Sequence, residues 1–474
     1  MSYALGIDLG TTFSAAATWR DGRAEIAPIG DRSASIPSVV LLRDDSSFLT
    51  GDAAHRRGTT EPQRVAREFK RRFGDPTPII LGGSPHSAEA LTARLLRAIV
   101  DDVAQREGEG PERICISHPA NWGPYKLDLL RQTVRLAELD QPVEFTTEPE
   151  AAAVFYAAQR PLEPGANVAV YDLGGGTFDA AIVRRTETGF VLTGKPEGIE
   201  RLGGIDIDAA VFDHVRRALD GRLDELDQDD PSVVAAVARL RAECVSAKEA
   251  LSSDTDVTIP VLLPAFTSEV RLTRSELETM VRPALLESIG ALRRTLESAQ
   301  ITAEQLFAVL LVGGSSRIPI VSQLVSAELG RPVVVDAHPK HAIALGAAIV
   351  ASGQTAIGGT PTQTMTVVPN GGQTSVSVTP TDLRPPPPPP HPDLVDVDPG
   401  ARTQMAPALR SAAPPQARPA HVAAGERRYG YTQPPEQGRP YDRPSRAVPP
   451  RYLPAALIGL VLGLGIGLVA LLLI

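Results

Sequence analysis

Apolar residues along the first 353 positions follow two alternating patterns. Unbroken apolar runs of strand length end in glycine-rich turns, and amphipathic runs of helical length come between them. Residues 4–19 read as an apolar strand, a Gly-Thr-Thr turn and a second apolar strand. Residues 168–183 repeat that arrangement around a Gly-Gly-Gly-Thr turn. Residues 61–74 read as a charged helix, 88–106 as an amphipathic helix and 126–137 as another. The run RICISHPANW from Arg113 predicts a buried strand entering a proline turn. Residues 143–158 predict a strand, a turn at Glu148-Pro149 and a helix, and residues 233–251 a long helix. From Leu306 come a buried strand, a Gly-Gly turn and a helix opening near Pro319, and the apolar run 342–351 closes the segment. Strands alternating with helices predict an α/β protein with mixed sheets.

The pattern stops after Gly353. Residues 354–452 lose apolar periodicity and hold 21 of the chain's 43 prolines, including an unbroken run that starts at Pro385. Such a composition cannot bury enough apolar surface to offset chain entropy, so a disordered linker with polyproline II stretches is expected. The final run, 453–474, carries no charged side chain. About 20 apolar residues cross a ~30 Å hydrocarbon core, so this run is expected to be a transmembrane helix. Arg439, Arg443, Arg446 and Arg451 precede it. The positive-inside bias then places the head, residues 1–353, in the cytoplasm. No basic segment followed by an apolar run opens the chain, so no signal peptide is expected, and the membrane topology reads as single-pass and tail-anchored. Gly459, Gly463 and Gly467 recur every four residues, a spacing that suits weak self-association of the anchor.

Charge and cysteine content narrow the class. With 47 Lys+Arg against 56 Asp+Glu the net charge is −9, and no nucleic-acid partner is expected. The only cysteines, Cys115 and Cys244, exclude a disulfide framework and a thiolate zinc site.

The two repeated turns carry readable chemistry. Asp8 and Asp172 each open an Asp-Leu-Gly, 164 positions apart, about half the head. A duplicated unit of that size predicts two related lobes facing a cleft. Gly10 on one side, and Gly174, Gly175 and Gly176 on the other, let backbone N–H groups approach an anion closely. Thr11, Thr12 and Thr177 add hydroxyl donors. An aspartate before each turn would repel phosphate unless a cation lay between them. Mg²⁺ suits that place, since it keeps most of its waters and takes few carboxylates together with phosphate oxygens. The GxxxxGK[ST] phosphate loop is absent from the sequence.

These segments resemble the nucleotide-binding domain of the 70-kDa heat-shock chaperones, within the actin and sugar-kinase ATPase superfamily. The resemblance runs in order through GIDLGTTF, FKRRFG, HPANW, TEPEAA, YDLGGGTFD, LGGIDID, AKEALSS, VGGSSRIP and ALGAA, over residues 3–353. It implies duplicated actin-like (ribonuclease-H-like) α/β lobes around a nucleotide cleft, ATP or ADP with Mg²⁺ as ligands, and slow ATP hydrolysis. It implies that Asp8 and Asp172 hold the metal through water, with Asp179 supporting its water shell. Gly10, Thr11, Thr12 and Phe13 would line the first phosphate loop, and Gly174, Gly175, Gly176 and Thr177 the second. Lys70 would reach the γ-phosphate, and Glu148 would position or deprotonate the attacking water. Gly203 and Gly204 would face the ribose and phosphates. Lys248, Ser252, Gly313, Gly314, Ser315, Ser316 and Arg317 would hold the adenosine side.

The departures fall on the nucleoside side. Val245 stands where the family has a glutamate, Glu249 where it has an arginine, and His338-Pro339-Lys340 where it has Asn-Pro-Asp. No counterpart of the chaperones' leucine-rich linker and β-rich peptide-binding domain is expected from the residues after Gly353. The expected function is therefore a membrane-tethered, ATP-hydrolysing nucleotide switch or chaperone-like module acting on an unidentified protein partner or client. An actin-like filament former is the alternative.

Overall fold

The computed structural model describes residues 2–31, 33–331, 333–335, 341–353 and 366–368. All belong to the first of two compact units, Met1–Val378. The expected transmembrane run 453–474 with its glycines, the segment His338-Pro339-Lys340 and nearly all of the proline-rich linker lie outside the described residues. Among the described residues no helix is long and apolar enough to cross a membrane.

Two six-stranded sheets share one plan. In the first, Ala4–Leu9 pairs antiparallel with Phe13–Arg20, which pairs antiparallel with Arg23–Ala27. On its other side Ala4–Leu9 pairs parallel with Arg113–His118, and that strand pairs parallel with Val143–Thr147. The second sheet repeats these five strands in the same order and directions. Asn167–Leu173 takes the central place, flanked by the antiparallel pair Phe178–Arg185 and Phe190–Ile199. The parallel pair Leu306–Val312 and Val333–Val335 lies on its other side. The duplication expected from the two Asp-Leu-Gly turns is thus present in the topology. A short strand, Thr366–Val368, extends the second sheet antiparallel to Val333–Val335, from within the stretch read as linker.

Apolar runs form these central strands because both faces are covered. Leu5 and Ile7 are fully buried, and burying each such side chain stabilises by about 1.5–3 kcal/mol. The helices Glu148–Gln159 and Ala342–Ala351 lie in one core cluster with side chains of both sheets, Ala15 and Ala17 from one and Val168, Val170 and Leu310 from the other. This layer is made thin by small residues. A Cβ on Gly6 would stand 2.1 Å from the amide nitrogen of Ala348, and one on Gly346 would stand 1.8 Å from the carbonyl oxygen of Ala151. Neither position admits any other residue without moving backbone.

The charged helix expected over residues 61–74 is not formed. The segment folds as a 3₁₀ turn Pro62–Arg64, a two-residue strand Val65–Ala66 and a second 3₁₀ turn Phe69–Arg72. Val65 and Ala66 pair with Leu41 and Val40, so strand pairing overrides the helical charge pattern. Glu68 precedes the second turn in the left-handed region, φ 54°, and the turn buries Phe69 in the first lobe. No turn forms at Glu148-Pro149 either. Thr147 caps the helix in a capping box with Glu150, so Glu148 is the first helical residue.

Candidate active site

The two hairpin tips touch. A Cβ on Gly175 would stand 2.1 Å from Thr12 Oγ1, and a Cβ on Gly176 would stand 2.4 Å from Thr11 Cγ2. Glycine is required there by close approach rather than by backbone angle, since neither residue has positive φ. The second loop is pinned from behind. The amides of Gly204 and Ile205 donate to the carbonyls of Gly174 and Gly175, at 3.0 and 2.8 Å. Ser315 Oγ donates to the Gly174 carbonyl at 2.9 Å. Gly203 sits so close that a Cβ would meet Gly176 N at 2.6 Å. Gly313, at φ +82°, places its own Cα against Leu173 and Asp172, where a Cβ would fall 2.4 Å from the Leu173 carbonyl oxygen.

Beneath the tips lie buried carboxylates with the ammonium of Lys70 among them. Lys70 Nζ donates to Glu148 Oε1 at 2.8 Å. Burial pulls the Lys70 ammonium down, but Glu148 and Asp8 outweigh it and raise its pKa. Asp8 is pushed up to about 6, first by burial and then by the charge of Glu148, with Lys70 and a 3.1 Å hydrogen bond from Ser117 opposing. Asp179 is pushed up to about 7 by burial and by Glu148. Asp172 is raised well above the usual carboxylate range by burial, with Glu148, Asp179 and Asp8 adding to it. Burial and mutual repulsion raise the pKa values of all three acids, and a divalent cation placed among them would lower them again. Among the described residues no three acidic, histidine or cysteine side chains stand close enough to ligate a metal directly. The Thr12 hydroxyl is buried without a hydrogen-bond partner.

Asp179 apart, these carboxylates, Lys70 and the loop residues line one cleft. The cleft collects Asp8, Gly10, Thr11, Thr12, Phe13, Lys70 and Glu148 from the first lobe. From the second it collects Asp172, Gly174, Gly175, Gly176, Thr177, Gly204, Lys248, Ser252, Gly313, Gly314 and Ser315. The helix Pro231–Ala250 brings Val245, Lys248 and Glu249 to the cleft wall. There Lys248 Nζ pairs with Asp208 Oδ1 at 2.8 Å.

Four sequence-expected residues stand apart from this wall. Gly203 supports the second loop from outside it. Asp179 faces a neighbouring cleft. Ser316 is buried and its hydroxyl donates to the Val312 carbonyl. Arg317 is exposed and off the cleft wall. Sequence reasoning gave no role to three residues the structure brings in. Ser117 braces Asp8, Asn121 donates to Asp179 at 3.0 Å, and Asp208 pairs with Lys248. Each lies within or beside a motif already singled out, but motif spacing cannot reveal a partner from another strand.

The model of the Hsp70 protein family matches residues 4–80 and 77–358. The chaperone protein DnaK of Methanothermobacter thermautotrophicus is 31% identical over 357 residues, 73% of this chain and 59% of that protein. The chain therefore spans about three fifths of that relative's length. With the matched region extending over both lobes and through every wall of the cleft, the chain belongs to the Hsp70 protein family.

Proposed function

We propose that the head binds ATP with Mg²⁺ between its lobes and hydrolyses it slowly. One observation carries this reading: two glycine-threonine hairpin tips from duplicated lobes meet above a set of buried carboxylates. The donor set fits the ligand. Close-packed glycines leave backbone within reach of phosphate oxygens, the Thr12 hydroxyl is unpartnered, and the carboxylates suit a hydrated cation. When bound, Mg²⁺ would neutralise phosphate charge and fix phosphate geometry. Asp8 and Asp172 would hold it through water, with Asp179 in support.

The residues divide the remaining work. Lys70 reaches the terminal phosphoryl group as a point charge. Glu148, held at a helix start by the Thr147–Glu150 capping box, accepts from Lys70 and aims the attacking water. Apart from the loops, the cleft is lined by Ile205, Val245, Ile318 and Ile343, with Glu249 present and Lys248 already paired to Asp208. Binding therefore rests more on phosphates than on the base. Thermal melts of the full-length chain test this. ATP and GTP should raise the melting temperature similarly and only with Mg²⁺, while adenosine does little. A ligand at a hundredfold excess over Kd stabilises by about 2.7 kcal/mol. Sharp discrimination of ATP from GTP would refute the reading of the base end.

The same proposal makes the chain a nucleotide-dependent switch or chaperone-like module acting on a protein partner or client, tethered to the membrane by residues 453–474 with its head in the cytoplasm. The charge-free terminal run and the arginines before it support the tether. Deleting residues 453–474 should free the protein from membranes after a carbonate wash. Family membership favours this over the actin-like filament reading.

A further inference from the structure

A second cleft opens between the lobes beside the first. The two clefts share three lining residues, Thr11, Lys70 and Thr177. All three stand at the end of the site where the terminal phosphoryl group is cleaved in the proposed reaction.

The two clefts differ in charge. The first is lined by two cationic side chains against five carboxylates. The second is lined by six cationic side chains against four carboxylates. Of these cations, Arg67, Lys126 and Arg201 make no ion pair with a carboxylate among the described residues, and Arg67 is held by hydrogen bonds to His55. Lys126 lies over the Trp122 ring at 5.7 Å from its centroid, and its helix belongs to the first lobe. Arg201 stands on the second lobe, in the segment between Phe190–Ile199 and Gly204–Ala218. Two bridges cross the seam between the lobes along this cleft. Arg71 donates to Asp206 at 3.0 Å and to the Gly176 carbonyl, and Asn121 donates to Asp179 at 3.0 Å.

We propose that the second cleft is the exit route for orthophosphate. The inference rests on the hydrolytic reading of the first cleft. A freed phosphate dianion sits among carboxylates on the nucleotide side and faces excess positive charge on the other. A net excess of one sign in a cleft raises the local concentration of counter-ions. The unpaired Lys126 and Arg201 attract the product past Lys70 without holding it in a closed ring of donors. Arg71 and Asn121 form the gate, since the lobes must part at these bridges for the route to widen.

The test uses the full-length chain with Lys126→Ala, Arg201→Ala and the double substitution. Neither side chain lines the nucleotide cleft, so single-turnover cleavage measured by acid quench should be unchanged. Appearance of free phosphate, read with a fluorescent phosphate sensor, should lag behind cleavage by about fivefold or more in the double variant. The lag should shrink in high salt, which screens exposed charges. Phosphate release that keeps pace with cleavage in the double variant would overturn the exit route while leaving the ATPase reading intact. Titration of orthophosphate into the nucleotide-free chain reads the same cations without hydrolysis. Weaker phosphate binding in the double variant is expected, and unchanged binding would overturn the assignment even in a chain that cleaved no ATP.

Discussion

Lys70 and Glu148, 78 positions apart, meet at 2.8 Å with side chains only 15% and 8% exposed. Asp8 and Asp179 add further negative charge to the surroundings of Lys70. Removing one partner of a buried pair costs about 3–5 kcal/mol, because the other charge stays buried. The two deletions are not equivalent here. Lys70→Ala leaves several carboxylates facing one another, whereas Glu148→Ala leaves a lysine that still has Asp8. Chemical denaturation at pH 8 without ligand should show the larger loss for Lys70→Ala. The double variant should lose less than the sum of the two. Equal and additive losses would mean that the pair is not coupled.

The contact between hairpin tips makes Gly175 a sensitive position. Gly175→Ala places a methyl 2.1 Å from Thr12 Oγ1 and 2.7 Å from Thr12 Cβ, so the tips must part. Gly189→Ala places a methyl in open space on the same lobe. Calorimetric titration should find nucleotide affinity lowered at least about tenfold in the first variant, or ~1.4 kcal/mol, and unchanged in the second. Equal affinities would separate the tips from the binding site.

Protonation of the buried acids gives a pH dependence of definite sign. Asp8 and Asp179 have folded pKa values of about 6 and about 7, above the ordinary 3.8, chiefly through burial. A carboxyl raised on folding binds more protons in the native state, so stability falls as pH rises. Their contribution is complete below pH 3.8 and is lost as pH climbs through 6 and 7. Ligand-free protein should therefore lose melting temperature between pH 5 and pH 8, Asp179→Asn should flatten that slope, and Mg²⁺-ATP should reverse it with proton release. A slope unaffected by Asp179→Asn would contradict the burial of that carboxyl.

Much of this was legible in the sequence, for identifiable reasons. The Asp8 and Asp172 hairpins are local, and their strands are apolar on both faces, so pattern alone located them. The helix Pro231–Ala250 has clear start signals, with Asp230 capping and Pro231 following. Residues 61–74 misled because their alternating charges imitate a helix, while the deciding contacts come from Val40 and Leu41. The roles of Ser117, Asn121 and Asp208 depend on neighbours 109, 58 and 40 positions away, respectively, and no local pattern encodes them. Arg317 was placed by its motif, yet its side chain lies off the cleft wall.

The central claim is that Glu148 serves the transition state of ATP hydrolysis rather than nucleotide binding. Glu148→Gln keeps the shape of the side chain and a hydrogen-bond acceptor for Lys70, but it loses the charge that aims and activates water. Single-turnover hydrolysis of Mg²⁺-ATP by the full-length chain, beside calorimetric affinity for the same ligand, tests this directly. Affinity should stay within about threefold, while cleavage slows by roughly 10²-fold or more. Cleavage at the unaltered rate in the Glu148→Gln variant would contradict the account.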